Sequence, residues 1–300
     1  MEIVAGIDGG GTKTTVLIWD VSGKFVATRV YGPFNLNSIG AARMSSLLND
    51  IFKMLAEYGE CRTLCIGAAG VSNPNVTNLI AKEAEKNNFT GKIVLRGDHE
   101  VALYGAMQGK PGAILICGTG SICYGENKKG ENIRVGGWGH LIDDVGSGYA
   151  IGREALSALV YSYDGRIGPT KLTQAVFDRM GVENINDLVA VIYGNPDKKR
   201  IASLSLCVEQ MAQENDATAI ALLDKAAEDL FGMIKAMYDK LGLNDLDLAF
   251  LGGNLTEGSV LERKLTAIIN ERIPSITIVK PKMNAAEGAT LIAYHMNSNN

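Results

Sequence analysis

Short apolar runs and stretches of helical periodicity alternate along most of the chain. Two apolar runs joined by a Gly-rich turn predict a β-hairpin at the start, and a third strand follows it. Helices and strands then alternate to about residue 110, which predicts the order βββαβαβα. The predicted strands are 3–7, 16–19, 25–31, 63–68 and 93–95, and the predicted helices are 39–58, 75–87 and 99–108.

The same pattern restarts after residue 112, with a strand, a Gly/Thr turn, a strand, a turn and a strand. This is an internal duplication of organisation, and it places one Gly/Thr turn at the head of each half. Such a pair can grip phosphate from two sides of a cleft. The later predicted elements are helices over 148–161, 170–180, 185–192, 201–213, 217–241, 259–272 and 285–296, and strands over 113–117, 122–125, 133–135, 246–251 and 276–279.

The first Gly-rich turn carries the first candidate chemistry, in the sequence IDGGGTKTT over residues 7–15. Glycine permits close approach of a ligand to the backbone, and successive free N–H groups form a nest for anions. Thr12 stands where a P-loop has glycine before Lys13, and Thr14 stands where a dinucleotide fingerprint has glycine. From these residues alone, a plain Gly-rich hairpin that binds no ligand is an equally good interpretation.

Composition narrows the class of protein. The 300 residues suffice for one or two domains, and the net charge of −4 disfavours a nucleic-acid partner held by a basic surface. No basic leader and no apolar run of membrane-spanning length is present, so we expect a cytoplasmic protein without a membrane partner. The five cysteines lie mostly in apolar runs, which is typical of reduced core thiols.

Eight short motifs occur in an order that resembles one known superfamily, the sugar kinase/Hsp70/actin ATPases. Within it, the chain resembles the N-acetylglucosamine kinase and BadF/BadG/BcrA/BcrD group. The motifs are IDGGGTKTT (7–15), GPFN (32–35), GAAG (67–70), GDHEVALYGA (97–106), ICGTGSICYG (116–125), GGWGHLIDDVGSGY (136–149), FLGGN (250–254) and AAEGA (285–289).

The resemblance implies a two-domain actin-like α/β fold, built from duplicated ribonuclease H-like βββαβα domains with an interdomain cleft. It implies an N-terminal domain over 1–111 and a C-terminal domain over 112–300. The last helix, about 285–297, is expected to pack back on the first domain.

The resemblance also implies an ATP site with Mg²⁺. Asp8 would lie near Mg²⁺ through water, which suits an ion that keeps several waters. Asp98 would be the general base for a sugar hydroxyl, although Asp between a strand and a helix is by itself a good N-cap. The implied ATP and phosphate residues are Gly9, Gly10, Gly11, Thr12, Lys13, Thr14, Gly118, Thr119, Gly120, Gly252, Gly253 and Asn254.

The sugar site implied by the resemblance lies largely in the Gly-rich segment 136–148. The implied residues are Asn35, Asp98, Ser121, Cys123, Trp138, Gly139 and Asp144. For Cys123 the backbone around 121–123 is an alternative contact, and Asp143 is an alternative to Asp144. Trp138 alone would be read as a core aromatic. His140 lacks the Cys cluster of the related ROK kinases, so we expect no structural zinc.

These expectations combine into an ATP-dependent kinase that phosphorylates the C6 hydroxyl of an amino sugar, foremost N-acetylglucosamine. Glucosamine and N-acetylmuramic acid stay open as substrates. An ATPase activator of a 2-hydroxyacyl-CoA dehydratase, with an iron–sulfur cluster, and a non-enzymatic ATP sensor are the rivals from other classes. The resemblance further suggests a homodimer.

Overall fold

The structure is a computed structural model that describes residues 1–71 and 73–298. Residues Met1–Lys110 together with Pro281–Asn300 form one compact unit, unit 1, and Pro111–Lys280 form the other, unit 2. Each unit holds a five-stranded mixed sheet. Within the described part of the chain, no helix is both long enough and apolar enough to cross a membrane.

Unit 1 begins with three antiparallel strands and continues with alternating helices and strands. Its elements are β1 (Glu2–Gly9), β2 (Thr14–Asp20), β3 (Phe25–Tyr31), α1 (Leu36–Tyr58), β4 (Glu60–Ala68), α2 (Pro74–Lys86), β5 (Lys92–Arg96), α3 (Asp98–Met107) and the final helix α11 (Ala285–Ser298).

Unit 2 repeats this opening and then inserts a run of helices before its fourth strand. Its elements are β6 (Gly112–Cys117), β7 (Ser121–Glu126), β8 (Asn132–Gly136), α4 (Gly148–Tyr163), α5 (Leu172–Met180), α6 (Ile185–Gly194), α7 (Lys198–Ala202), α8 (Ser205–Gln213), α9 (Ala217–Leu241), β9 (Leu246–Leu251), α10 (Val260–Arg272) and β10 (Ile276–Val279).

The two sheets have the same topology. Their strand orders are β3-β2-β1-β4-β5 and β8-β7-β6-β9-β10. In each, an antiparallel hairpin and its third strand lie beside two further strands that run parallel to the first. The duplication expected from the sequence is therefore present in the strand pairing, and the prediction of α/β structure is confirmed.

The element boundaries follow the apolar pattern closely, and two of the predicted helices differ in detail. Helix α1 begins three residues earlier than predicted and is interrupted at Gly40, where φ is 76°. The single helix predicted over 201–213 is two helices, α7 and α8. There the hydroxyls of Ser203 and Ser205 donate to the carbonyls of Arg200 and Ala202, at 2.7 and 2.8 Å. Such local bonds compete with the helical ladder.

Helix α11 packs closely against α3 and against β1, the central strand of the unit 1 sheet. A Cβ atom on Gly6 would lie 2.1 Å from the backbone nitrogen of Thr290, and one on Gly288 would lie 2.1 Å from the carbonyl oxygen of Val101. Ala289 and Ala293 on the same helix are fully buried. The missing side chains of two glycines thus let three elements approach at backbone distance.

We expect Gly6→Ala to lower the free energy of unfolding by about 2–3 kcal/mol, because its methyl group would overlap the α11 backbone. Urea unfolding followed by circular dichroism measures this change. Gly232→Ala is the matched control, since Gly232 lies inside α9 with open space around its Cα. There, alanine is expected to stabilise the helix by roughly 0.5–1 kcal/mol. Equal stability of Gly6→Ala and the unaltered protein would contradict the packing argument.

Candidate functional site

The turn between β1 and β2 is fixed by backbone hydrogen bonds at Gly10 and is exposed to solvent from Gly11 to Lys13. The Gly10 N–H donates to the Lys13 carbonyl at 3.0 Å, and the Phe34 N–H donates to the Gly10 carbonyl at 2.9 Å. A Cβ on Gly9 would lie 2.8 Å from the Cβ of Ala68. Gly11 has open space around its Cα, and Thr12 and Lys13 are exposed. The turn therefore offers backbone, a hydroxyl and an ammonium group to a ligand.

Two carboxylates lie at the same edge of the unit 1 sheet. Asp8 is near the end of β1, and Asp98 begins the helix that follows β5, a parallel strand of the same sheet. Burial raises the pKa of Asp8, and the negative charge of Asp98 raises it further, while Lys13 lowers it. The two acidic groups are thus close enough to interact electrostatically.

Asp98 is held as a carboxylate by its neighbour His99. Its Oδ1 accepts the His99 backbone N–H at 3.0 Å and lies 3.1 Å from the His99 ring Nδ1. Because an ionised carboxylate only accepts hydrogen bonds, the Nδ1 carries the proton of this contact. These bonds lower the pKa of Asp98 despite partial desolvation. Gly97, not Asp98, occupies the N-cap position of α3, and half of the Asp98 side chain is exposed.

The second Gly/Thr turn, between β6 and β7 in unit 2, is fastened by its carbonyl groups. The first two N–H groups of α4, at Gly148 and Tyr149, donate to the carbonyls of Gly118 and Thr119 at 2.9 and 3.2 Å. The side-chain amide of Asn254 donates to the same Gly118 carbonyl at 2.8 Å. These bonds fix the backbone of the turn, and Thr119 is exposed.

The turn after β9 lies against the second Gly/Thr turn. Gly252 has φ of +95°, and a Cβ there would lie 2.4 Å from the Cys117 carbonyl oxygen. The Asn254 N–H donates to that carbonyl at 3.1 Å, and its Oδ1 accepts the Ser205 hydroxyl at 2.7 Å. Gly253 has open space around its Cα. A cavity of about 60 Å³ beside it is lined in part by Ser205, Leu206, Glu209, Gly253 and Asn254.

Asp144 lies behind the second Gly/Thr turn and is paired with a lysine. It is 5% exposed, and its Oδ2 lies 3.0 Å from the Nζ of Lys198, on α7. The same Oδ2 would be 2.7 Å from a Cβ on Gly120. Asp144 adopts a φ of +60°, a conformation that non-glycine residues seldom take. Its neighbour Asp143 instead accepts the Trp138 backbone N–H at 3.0 Å.

Trp138 is exposed and held from one side by an arginine. Its side chain is 63% exposed, so the interpretation as a core aromatic is wrong. The guanidinium of Arg134 lies 4.1 Å from the centre of its ring, and Arg134 also donates to the carbonyls of Gly136 and Gly137. Gly139 follows with φ of +101° and open space around its Cα. This segment displays a flat apolar ring on a fixed backbone.

Besides Asp144, three residues predicted to contact ligands have buried side chains. The Thr14 hydroxyl donates to the Gly32 carbonyl at 2.6 Å, and the Ser121 hydroxyl donates to the Val145 carbonyl at 2.7 Å. Cys123 is fully buried in the hydrophobic core of unit 2. Any contact between these residues and a ligand is therefore left to their backbone. Asn35 is half-buried at the start of α1, where its side chain accepts the Ser38 N–H at 3.3 Å.

Within each unit, the structure brings most predicted residues to one sheet edge. In unit 1 these are Asp8, the first turn and Asp98; in unit 2 they are the second turn, Asp144 and the Gly252–Gly253 turn. Sequence reasoning missed His99, Arg134 and Lys198. His99 is adjacent to Asp98 and Arg134 precedes the GGW motif, so both had a local signal. Lys198 is 54 residues from Asp144, and no local pattern links them.

Comparison with known proteins gives full-length similarities. The profile of the BadF/BadG/BcrA/BcrD ATPase family matches residues 5–293. An N-acetylmuramic acid/N-acetylglucosamine kinase of Clostridium acetobutylicum is 35% identical over 98% of both chains, and an N-acetyl-D-glucosamine kinase of Dictyostelium discoideum is 31% identical over 98% of both. A structural-genomics crystal structure from Chromobacterium violaceum is 27% identical, with a TM-score of 0.79, and the similarity covers 97% of this chain and 98% of that one.

We expect His99→Ala to raise the pKa of Asp98 toward the ordinary aspartate value, because the variant loses the ring donor that favours the carboxylate. Carboxyl ¹³C NMR titration measures this shift. A carboxylate whose pKa is lower in the folded than in the unfolded state stabilises the fold at pH values above its unfolded-state pKa. That stabilisation is lost as the pH falls through the folded-state pKa. His99→Ala is therefore expected to flatten the acid side of the stability profile. His140→Ala is the control, and an unchanged Asp98 titration in His99→Ala would contradict the assignment.

Proposed function

Because the chain belongs to the BadF/BadG/BcrA/BcrD ATPase family, we propose that it is an ATP-dependent sugar kinase. It transfers the γ-phosphoryl group of ATP to the C6 hydroxyl of an amino sugar, foremost N-acetylglucosamine. Kinases of N-acetylglucosamine and N-acetylmuramic acid align with it over 98% of its length, which supports this assignment.

One observation carries the proposal: a half-exposed carboxylate kept ionised beside an anion-binding turn. Asp98 takes the proton of the sugar hydroxyl as that oxygen attacks the γ-phosphorus of ATP. The bond from the γ-phosphorus to the bridging oxygen breaks, and ADP leaves. The hydrogen bonds from His99 orient the carboxylate and favour its ionised form, the form that can accept a proton.

Phosphoryl transfer needs donors around the phosphate oxygens more than it needs covalent chemistry from the protein. We assign the backbone of Gly9, Gly10 and Gly11, with Thr12 and Lys13, to these oxygens. Thr14 supports this turn through Gly32 and adds its backbone. In unit 2, Gly118, Thr119 and Gly120 take the same role. Gly252, Gly253 and Asn254 border the adenosine, which lies against a backbone with few side chains.

The acidic pair of unit 1 fits a magnesium ion. Mg²⁺ is held in kinases by one or two carboxylates, substrate phosphates and water. Asp8 is partly buried and its ionisation is opposed by Asp98, so a divalent cation beside Asp8 relieves unfavourable charge. When bound, the ion neutralises charge on the phosphates. Asp8 would hold the ion, through water, and Asp98 would remain the proton acceptor.

The residues assigned to the sugar offer hydrogen-bonding groups, one aromatic ring face and accessible backbone. Asn35 and Asp144 offer hydrogen bonds to hydroxyl groups, and Trp138 offers its ring face to the apolar face of the sugar. Gly139 leaves backbone accessible next to that ring. The backbone near Ser121 and Cys123 is assigned to the region of the 2-substituent, since both side chains are buried. Between Asp143 and Asp144 the choice stays with Asp144, because it occupies the family position four residues before Gly148.

The alternatives differ in the groups they demand. Glucosamine calls for a carboxylate near its amine, and N-acetylmuramic acid calls for room and a cation near its lactyl group. An activator with an iron–sulfur cluster requires thiolates. Burial raises the pKa of Cys61, Cys65, Cys117 and Cys123 to about 12, so these thiols are protonated at neutral pH. A homodimer and a cytoplasmic location remain predictions.

The proposal is tested by ADP release with Mg²⁺-ATP and a panel of glucose, glucosamine, N-acetylglucosamine, N-acetylmannosamine and N-acetylmuramic acid. We expect strong stimulation by one or two amino sugars, with N-acetylglucosamine among them. Equal slow hydrolysis with every sugar and with none would contradict the kinase assignment and favour the activator or the sensor.

Asp98→Asn is the matched variant for the same assay. It keeps the shape of the side chain and removes the proton acceptor, so sugar-stimulated turnover is expected to fall about 10²-fold or more. Folding and ATP binding are expected to persist, because Asp98 does not cap α3. Near-normal turnover by this variant would remove Asp98 from the role of base.

A further inference from the structure

The ammonium group of Lys198 is linked to the second Gly/Thr turn by one carboxylate oxygen of Asp144. Asp144 Oδ2 accepts the Lys198 ammonium at 3.0 Å, and the same oxygen is the atom that a side chain on Gly120 would strike. Lys198 therefore lies one side chain away from the turn, although it belongs to α7. Asp144 provides the link, and its position is fixed by burial and by its left-handed backbone conformation.

The charge balance at this turn depends on Lys198. A buried carboxylate beside a turn that holds phosphate would repel the ligand, since like charges at short range oppose each other. The lysine cancels that charge. Buried ion pairs are weak evidence for a gain in stability, so stabilisation alone does not explain why a charged pair is retained here.

The lysine also has capacity left for a ligand. An ammonium group carries three donors, and Asp144 is the partner recorded for Lys198 among the residues that the structure describes. The Lys198 side chain is 34% exposed, whereas that of Asp144 is 6% exposed. In this pair the accepting side chain of Asp144 is buried, whereas the donating side chain of Lys198 is partly accessible to solvent.

We propose that Lys198 is a phosphate-binding residue of the second Gly/Thr turn. Held in place by Asp144, its ammonium group donates to a phosphate oxygen of the bound nucleotide. The inference rests on the proposed function, since it takes this turn to be a phosphate site. It adds a residue that neither the motifs nor the sequence spacing identifies.

Isothermal titration calorimetry with AMP-PNP, in the absence of sugar, tests the proposal. We expect Lys198→Met to raise the dissociation constant about tenfold, which corresponds to about 1.4 kcal/mol. Lys198→Arg keeps a cation and is expected to recover part of the affinity. Lys199→Met removes an equal charge from the next position of α7, where the side chain is exposed, and is expected to leave the affinity unchanged. Equal weakening by Lys198→Met and Lys199→Met would overturn the proposal, as would no weakening by Lys198→Met.

A second pair of variants separates direct contact from mere neutralisation of Asp144. The Lys198→Met protein retains a buried, unpaired carboxylate, which destabilises the fold. The double variant Asp144→Asn/Lys198→Met retains no unpaired charge. If Lys198 touches phosphate, the double variant binds AMP-PNP about tenfold more weakly than Asp144→Asn alone. Equal affinities of these two proteins would show that Lys198 acts only through Asp144, which overturns the proposal. Sugar-stimulated ADP release by the unaltered protein, measured alongside, shows independently whether the proposed function holds.

Discussion

The candidate site depends on one geometric constraint: the parallel strands of each sheet end at the same edge. In unit 1 that edge collects Asp8 from β1 and Asp98 from just beyond β5. In unit 2 it collects the turn after β6 and the turn after β9, which approach so closely that Gly252 has no room for a side chain. Sheet pairing thus brings the turns after β6 and β9 together, and Asn254 contacts Gly118 across 136 positions of sequence. Because both sheets share one topology, each unit presents the Gly-rich turn of its first hairpin at this edge.

The chemistry of the site is set by the hydrogen bonds that hold the turns and the carboxylates in place. Carbonyl oxygens of the second turn are bonded to the start of α4 and to Asn254, so the turn cannot collapse onto itself. Carboxylates are held by nearby donors, Asp98 by His99 and Asp144 by Lys198. These pairs give similar side chains different environments: Asp98 is open to solvent, and Asp144 is buried. An exposed, ionised Asp98 suits proton transfer, whereas Asp144, which is buried and paired with Lys198, suits a fixed hydrogen-bond acceptor.

Much of the fold was predictable because apolar periodicity is a local property. The family resemblance and the two-domain actin-like α/β class are confirmed, and the strand and helix boundaries mostly agree within a few residues. The break between α7 and α8 was missed because it depends on the Ser203 and Ser205 hydroxyls, which a periodic apolar pattern does not register.

The site was predictable only in part, for a related reason. Motifs mark residue types, so Asp98 and the Gly turns were identified, and their roles stay predictions. Motifs do not mark burial. Thr14, Ser121 and Cys123 were assigned to ligand contacts, and their buried side chains leave those contacts to the backbone, which for 121–123 was already the alternative. Lys198 was invisible to sequence reasoning because its partner lies on a distant loop, and only the tertiary structure brings the two charges together.

The central claim, transfer of phosphate from ATP to the C6 hydroxyl of an amino sugar, is tested most directly by the position of phosphate in the product. Proton-coupled ³¹P NMR of a reaction with N-acetylglucosamine and Mg²⁺-ATP reports it, because the exocyclic C6 carries two protons and each hydroxyl-bearing ring carbon carries one. We expect a new sugar-phosphate resonance split into a triplet. A doublet, or inorganic phosphate as the only product besides ADP, would contradict it.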